Sequence, residues 1–200
     1  MNLNRLIYLV TPYCPNVPDF VFEATLLECA RDYFEKTHAW VVDGEAVVNE
    51  GGGTFEIAPP ETYQSVVQVV GVENLDTNRP LLPMVDFISS GVGTPTHYKV
   101  DNRNTITIKP FAQFTTNLKI KIAVRPNMSA TELPERVVEE NETALRYGCV
   151  SLLKMQIGTD WHDPHGAHEF KRLYEAQISS KKLEIHTKSN PNAIELAYPH

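Results

Sequence analysis

The stretch LKIKIAVRPNMSATELPERVVEE, Leu118 to Glu140, changes its period partway along. Leu118, Ile120, Ile122 and Val124 alternate with Lys119 and Lys121, the two-residue repeat of a strand with one solvated face. Pro126 ends that repeat. Pro134 then opens a run in which Val138, Leu145, Cys149 and Leu152 recur at helical spacing. The chain therefore predicts a β block that closes near Pro126 and a helical region beyond it.

Upstream of Leu118 the strand signals continue back to about Val41. TFEIA alternates Phe55 and Ile57 with polar neighbours, and SVVQVVGV (Ser65 to Val72) is β-branched and nearly continuous, as in a strand covered on both faces. HYKVDNRNTITIKPF reads as a hairpin turning through Asp101 to Asn104. Prolines at positions 59, 60, 80, 83, 95, 110 and 126 fall between these runs. Before Val41 the period is again helical. In PNVPDFVFEATLLECARDYFEKTHAW the residues Phe20, Ala24, Leu27, Ala30 and Phe34 form one stripe, and Leu26, Cys29 and Tyr33 widen it. Asn16 and Pro18 suit its beginning.

Downstream, TDWHDPHGAHEF (Thr159 to Phe170) places three histidines, His162, His165 and His168, and two acids, Asp163 and Glu169, within eight residues. Helical zinc sites use ligands at i and i+4, commonly with an acid between them. Here His165 and His168 are three apart, and Gly166 and Ala167 fill the gap. Asp163-Pro164 has the form of a helix start: an N-cap aspartate, then proline at the first helical position. The stretch reads as the opening of a helix from Pro164 to about Lys182, striped by Ala167, Phe170, Tyr174 and Ile178. After it, HTKSNPNAIELAYPH shows no period and reads as an extended arm. Gly148 interrupts the preceding helix at a cost of about 1 kcal/mol relative to alanine, either simply tolerated there or admitting close approach of another helix or subunit.

A lone first helix cannot bury its own faces, so helices bracketing a strand block predict one helical domain with a β insertion. The expected class is α+β: three main helices, an inserted antiparallel β domain (barrel or sandwich), and an extended C-terminal arm. The boundaries read as 1–40 and 127–182 for the discontinuous helical domain, 41–126 for the insertion, and 183–200 for the arm.

Composition is that of an ordinary globular chain, 42% hydrophobic and 22% charged. A net charge of -7 argues against a protein that grips nucleic-acid phosphates. Cys14, Cys29 and Cys149 are odd in number and widely spaced, which predicts neither a disulfide framework nor a structural zinc site. Leu6 to Val10 is too short for a signal-peptide core or a membrane span. The chain has no GxSxG, P-loop, GxGxxG or HExxH, and its Gly51–Gly53 triplet leads into a strand pattern, where it lacks the helix N-terminus that holds a phosphate. No nucleophile, acid–base pair, metal or cofactor site is specified.

In order, four features resemble the head-to-tail adaptor (connector) proteins of tailed bacteriophages, the set that includes the tail tubular protein A of short-tailed phages. These are CPNVPDFVFEATLLECARDYFEKTHAW; then GTPTHYKV with TITIKP; then RPNMSATELPERVVEENETALRYGCVSLLKMQ; and last DWHDPHGAHEFKRLYEAQISSKK. They span about Cys14 to Lys182. The resemblance implies a structural virion protein with no enzymatic activity and no cofactor. It forms a homo-oligomeric ring, typically of twelve copies, under the portal protein, with a tail nozzle or tail tube protein docking beneath. It implies assembly in the host cytoplasm and residence at the head–tail interface. DNA passes through such a ring without sequence-specific binding, and no membrane is involved. The resemblance also implies that the arm, through Leu183, Ile185, Ile194, Leu196 and Tyr198, contacts the portal.

The acidic charge acquires a use in that setting, since a basic lumen would hold DNA by counterion release. Glu135, Glu139 and Glu142 are the residues expected to line the channel, with an outer solvated face as the alternative. Two other readings compete with the adaptor. One is a metal-dependent hydrolase using His162, His165 and His168; the other is a different tail or baseplate component.

Overall fold

The structure is a computed structural model and describes residues 4–84 and 91–189. Helices and largely antiparallel sheets share the chain, so the class is α+β. The chain divides into two compact units, one from Met1–Ala39 with Met128–His200 and one from Trp40–Asn127.

The first unit is helical: α1 (Asn4–Val10), α2 (Asp19–Thr37), α3 (Glu135–Glu140), α4 (Glu142–Lys154) and α5 (Pro164–Ser189). In α2, Pro18 stands at the N-cap, and His38 ends the helix in the left-handed conformation with its N–H bonded to the Phe34 carbonyl. Its buried stripe is Phe22, Leu26, Cys29, Ala30, Tyr33 and Phe34. Of the predicted stripe Ala30 and Phe34 are buried, as are the widening residues Leu26, Cys29 and Tyr33, whereas Phe20 is 73% exposed, Ala24 exposed and Leu27 half-buried. The buried face is thus centred on Leu26, Cys29, Ala30 and Tyr33, with Phe22 in place of Phe20 at its first turn.

The helix predicted to run on from Pro134 is two helices. Asn141 leaves the helical region at φ -128 and ψ 15 and separates α3 from α4. Its buried side chain supplies the reason: Nδ2 donates to the Val137 carbonyl (2.8 Å), and Oδ1 accepts from the Tyr33 hydroxyl (3.0 Å). An asparagine that bonds the preceding turn competes with the helix ladder.

The arm predicted from residue 183 is corrected in its first part. Leu183 and Ile185 belong to α5, which continues through Ser189. No glycine or proline falls between Gly166 and Pro191, and Glu184 pairs with both Lys181 (3.1 Å) and Lys188 (2.5 Å) at helical spacing. Ile194, Leu196 and Tyr198 lie outside the described residues.

The second unit is made of strands. A four-stranded sheet has the order β1 (Val41–Val48), β10 (Thr116–Pro126), β3 (Gln64–Asn74), β4 (Arg79–Pro80). Another has the order β2 (Thr54–Glu56), β8 (Thr105–Lys109), β7 (His97–Asn102), β5 (Leu82–Pro83). β6 (Val92–Gly93) and β9 (Phe111–Ala112) form a short parallel pair. Neither four-stranded sheet closes on itself. Leu118, Ile120 and Ile122 are fully buried on one face of β10, as are Ile106 and Ile108 of β8.

The valine run in β3 has a different explanation from two-sided cover. Its pairing with β10 skips Val67 and Val70, so two bulges reset the alternation, and Val70 is left exposed.

Candidate functional site

In the helical unit, α2, α4 and α5 converge on Gly148. A Cβ at that position would lie 2.3 Å from Cys29 Sγ and 2.9 Å from Tyr174 Cε2. The glycine thus marks an approach between helices of one chain. Beside it is a cleft of about 450 Å³, lined in part by Cys29, Asp32, Leu152, His168 and Tyr174. The Tyr174 hydroxyl donates to Asp32 Oδ2 (2.9 Å), and Asp32 pairs with Lys36 (2.8 Å). Burial holds the Tyr174 hydroxyl far above its ordinary pKa.

The thiols share this apolar interior. All three are buried and free. Desolvation pushes Cys29 up to about 12 and Cys14 up to about 11, and raises Cys149 well above the usual thiol value. A thiol held protonated is a poor nucleophile and metal ligand. These cysteines act as small apolar side chains.

A second cleft, about 310 Å³, lies where the α3–α4 joint faces α5. Tyr33, Glu139, Asn141, Glu142, Lys181 and Glu184 are among its lining residues. Burial, then the nearby Glu184 carboxylate, pushes Tyr33 up to about 12. Glu139 and Glu142 share this cleft, Glu142 half-buried and Glu139 exposed; Glu135 is exposed one turn earlier on α3 and is not in the lining.

Asp163 caps α5. Its Oδ1 accepts the Gly166 N–H (2.9 Å), while Oδ2 pairs with Lys154 (2.8 Å) at the end of α4. Lys154 first, then the Gly166 N–H, hold the Asp163 carboxyl below its ordinary pKa. Pro164 follows as the first helical residue. His162, His165 and His168 are all exposed around this cap. The described residues contain no group of three or more His, Cys, Asp or Glu side chains placed to hold a metal ion. Among them no helix is long and apolar enough to cross a membrane.

Of the residues named from sequence for contact with other molecules, Leu183 is 68% exposed on α5 and Ile185 half-buried. The tertiary partnerships Tyr33–Asn141, Tyr174–Asp32 and Lys154–Asp163 carried no signal in the sequence. The first two join residues more than a hundred positions apart, and the third needs the α4–α5 turn to close. No protein-family model matches the chain, and no curated protein matches it.

Proposed function

We infer that this chain is a structural protein of a tailed-phage virion, a head-to-tail adaptor whose copies form a ring beneath the portal and leave a passage for DNA. One observation carries the reading. The four ordered segments that resemble the adaptor family fall on the fold by kind: the first centres on α2, the second lies on β6, β7 and β8 of the strand unit, and the last two run chiefly through α3, α4 and α5. The helical unit is assembled from both ends of the chain around the insertion, the plan expected of that family. The buried, protonated thiols and the exposed histidines fit a protein that works by packing.

In this reading the helical unit builds the ring, the open sheets of the insertion face neighbouring copies or the tail, and the exposed end of α5 with Leu183 meets the portal. Glu135 and Glu139 are placed on the lumen, where carboxylates repel passing phosphates within a Debye length of about 8 Å at physiological salt. Negative-stain imaging of the purified protein, alone and mixed with its portal, tests the proposal. Rings, free or portal-bound, are the expected result. A monomer that attaches to neither portal nor capsid vertex overturns it.

A further inference from the structure

The two four-stranded sheets of the insertion have four outer strands, and three of them are poor templates for another strand. β2 has three residues, and β4 and β5 have two each, with Pro80 and Pro83 inside them. Short edges offer few pairing groups, and proline has no N–H to donate. β1 differs on every count. It runs eight residues, holds no proline or lysine, and pairs with β10 in unbroken register. Among the described residues β10 is its only strand neighbour. Every second residue of such a strand turns its N–H and C=O away from that neighbour, over a length of about 27 Å.

The side chains of β1 say what could lie there. Val42, Gly44 and Ala46 pair with Ile122, Ile120 and Leu118, which are fully buried, yet are themselves only half-buried. The apolar layer thins at this edge, and Gly44 has no side chain to extend it. On the opposite face Val41, Asp43, Glu45 and Val47 are exposed. Lys119 of β10 sits 2.9 Å from Asp43, so the acids of β1 already have a basic strand on one side.

We propose that the open edge of β1 is a strand-addition site for an extended protein segment in which apolar residues alternate with lysine or arginine. The apolar row would close over Gly44 and Ala46, and the basic row would flank Asp43 and Glu45. Main-chain pairing supplies affinity in this mode, and the alternating side chains supply selection. A second copy of β1 is the wrong partner. Antiparallel pairing about Gly44 sets Asp43 against Glu45 of the copy on one face, and like charges directly opposite destabilise a pair. The chain's own last eleven residues contain Glu195 and no lysine or arginine, so they lack the basic row. The inference does not depend on the adaptor reading, because it concerns the edge and not the assembly.

The test uses the full-length protein and a blocked peptide, acetyl-Thr-Lys-Ile-Lys-Val-Lys-Ile-Thr-amide, with a counterpart in which glutamate replaces each lysine. Calorimetric titration should show the lysine peptide binding at least about tenfold more tightly than the glutamate peptide. Its binding should weaken as salt rises. Amide exchange on the wild-type protein should slow at residues 41–48 when the lysine peptide is present. The mild double variant Asp43→Asn/Glu45→Gln should lose most of the preference between peptides while keeping its fold. Equal affinity for both peptides, no binding, protection elsewhere, or self-association through residues 41–48 would each overturn the proposal.

Discussion

The Tyr33 hydroxyl of α2 donates to Asn141 Oδ1 across 3.0 Å, at the joint that separates α3 from α4. Both side chains are buried, beside the cleft that they line with Glu139, Glu142 and Lys181. Removing the hydroxyl deprives the buried Asn141 Oδ1 of this donor. Tyr33→Phe should therefore cost about 1–3 kcal/mol, the penalty for orphaning a buried polar group. Urea unfolding followed by the helical circular dichroism signal measures it. An unchanged midpoint would mean that the joint does not depend on this bond.

Gly148→Ala sets two effects against each other. Alanine favours a helix interior over glycine by about 1 kcal/mol. Its methyl group, however, would lie 2.3 Å from Cys29 Sγ and 2.9 Å from the Tyr174 ring, closer than real contacts allow. Overpacking of a core costs about 1–3 kcal/mol, so the net effect should be destabilising. Pairing the substitution with Cys29→Ala removes the closest atom and should recover part of the loss. If Gly148→Ala alone stabilises the protein, the three helices do not meet as closely as described.

What the sequence made legible follows from how local each determinant is. The strand repeat around Ile120 and the Asp163-Pro164 helix start are set by neighbouring residues, and both elements stand where the periodicity put them. Asn141 was not legible, because a mid-helix asparagine becomes a break only when Tyr33, distant in sequence, offers its hydroxyl. The bulges at Val67 and Val70 were hidden for a similar reason, since skipped pairing depends on β10 and not on the valines themselves. Leu183 and Ile185 looked like part of an arm because apolar spacing weakens there, while the ion pairs of Glu184 carry the helix onward.

The helical unit should be sensitive to alkali. Cys14 and Cys29 rise from 9.0 to about 11 and about 12, and Tyr33 from 10.0 to about 12, each chiefly through burial. A raised folded-state pKa favours the protonated group in the native state. Its contribution is fully present below the unfolded-state pKa and is lost as pH climbs through the folded one. Stability should thus hold to about pH 9 and decline toward pH 12. Cys29→Ala/Tyr33→Phe should flatten that decline, as read from urea midpoints at a series of pH values. An equal slope in both proteins would assign the alkaline loss to other groups.

At the acid end Asp163 is one of the groups that count, its folded-state pKa depressed by Lys154 and the Gly166 N–H. Its contribution is present above the unfolded-state value and is lost as pH falls through the lower folded one. Asp163→Asn keeps an acceptor for the cap but drops the charge, whereas Asp163→Ala removes both. The melting temperature should fall least for asparagine and most for alanine, and the acid slope should be shallower in both variants. Identical losses in the two would mean that the cap hydrogen bond contributes nothing beyond the ion pair.

The last prediction rests on the adaptor reading. Glu135 and Glu139 are exposed on α3, and Glu142 is half-buried in the first turn of α4. If this face lines the passage, reversing its sign turns a repelling wall into one that binds phosphates by releasing their counterions. Phage carrying Glu135→Lys/Glu139→Lys/Glu142→Lys should assemble, package DNA and then release it more slowly, with the defect easing as salt rises. Lysine at position 142 also opposes the positive end of α4, so the triple variant carries a folding cost unrelated to DNA. Glu135→Lys/Glu139→Lys avoids that cost and should keep most of the delay. Normal ejection kinetics from particles bearing the double variant would move this acidic face to the outside of the ring, because a lumenal wall cannot change sign without acting on the polyanion that passes it.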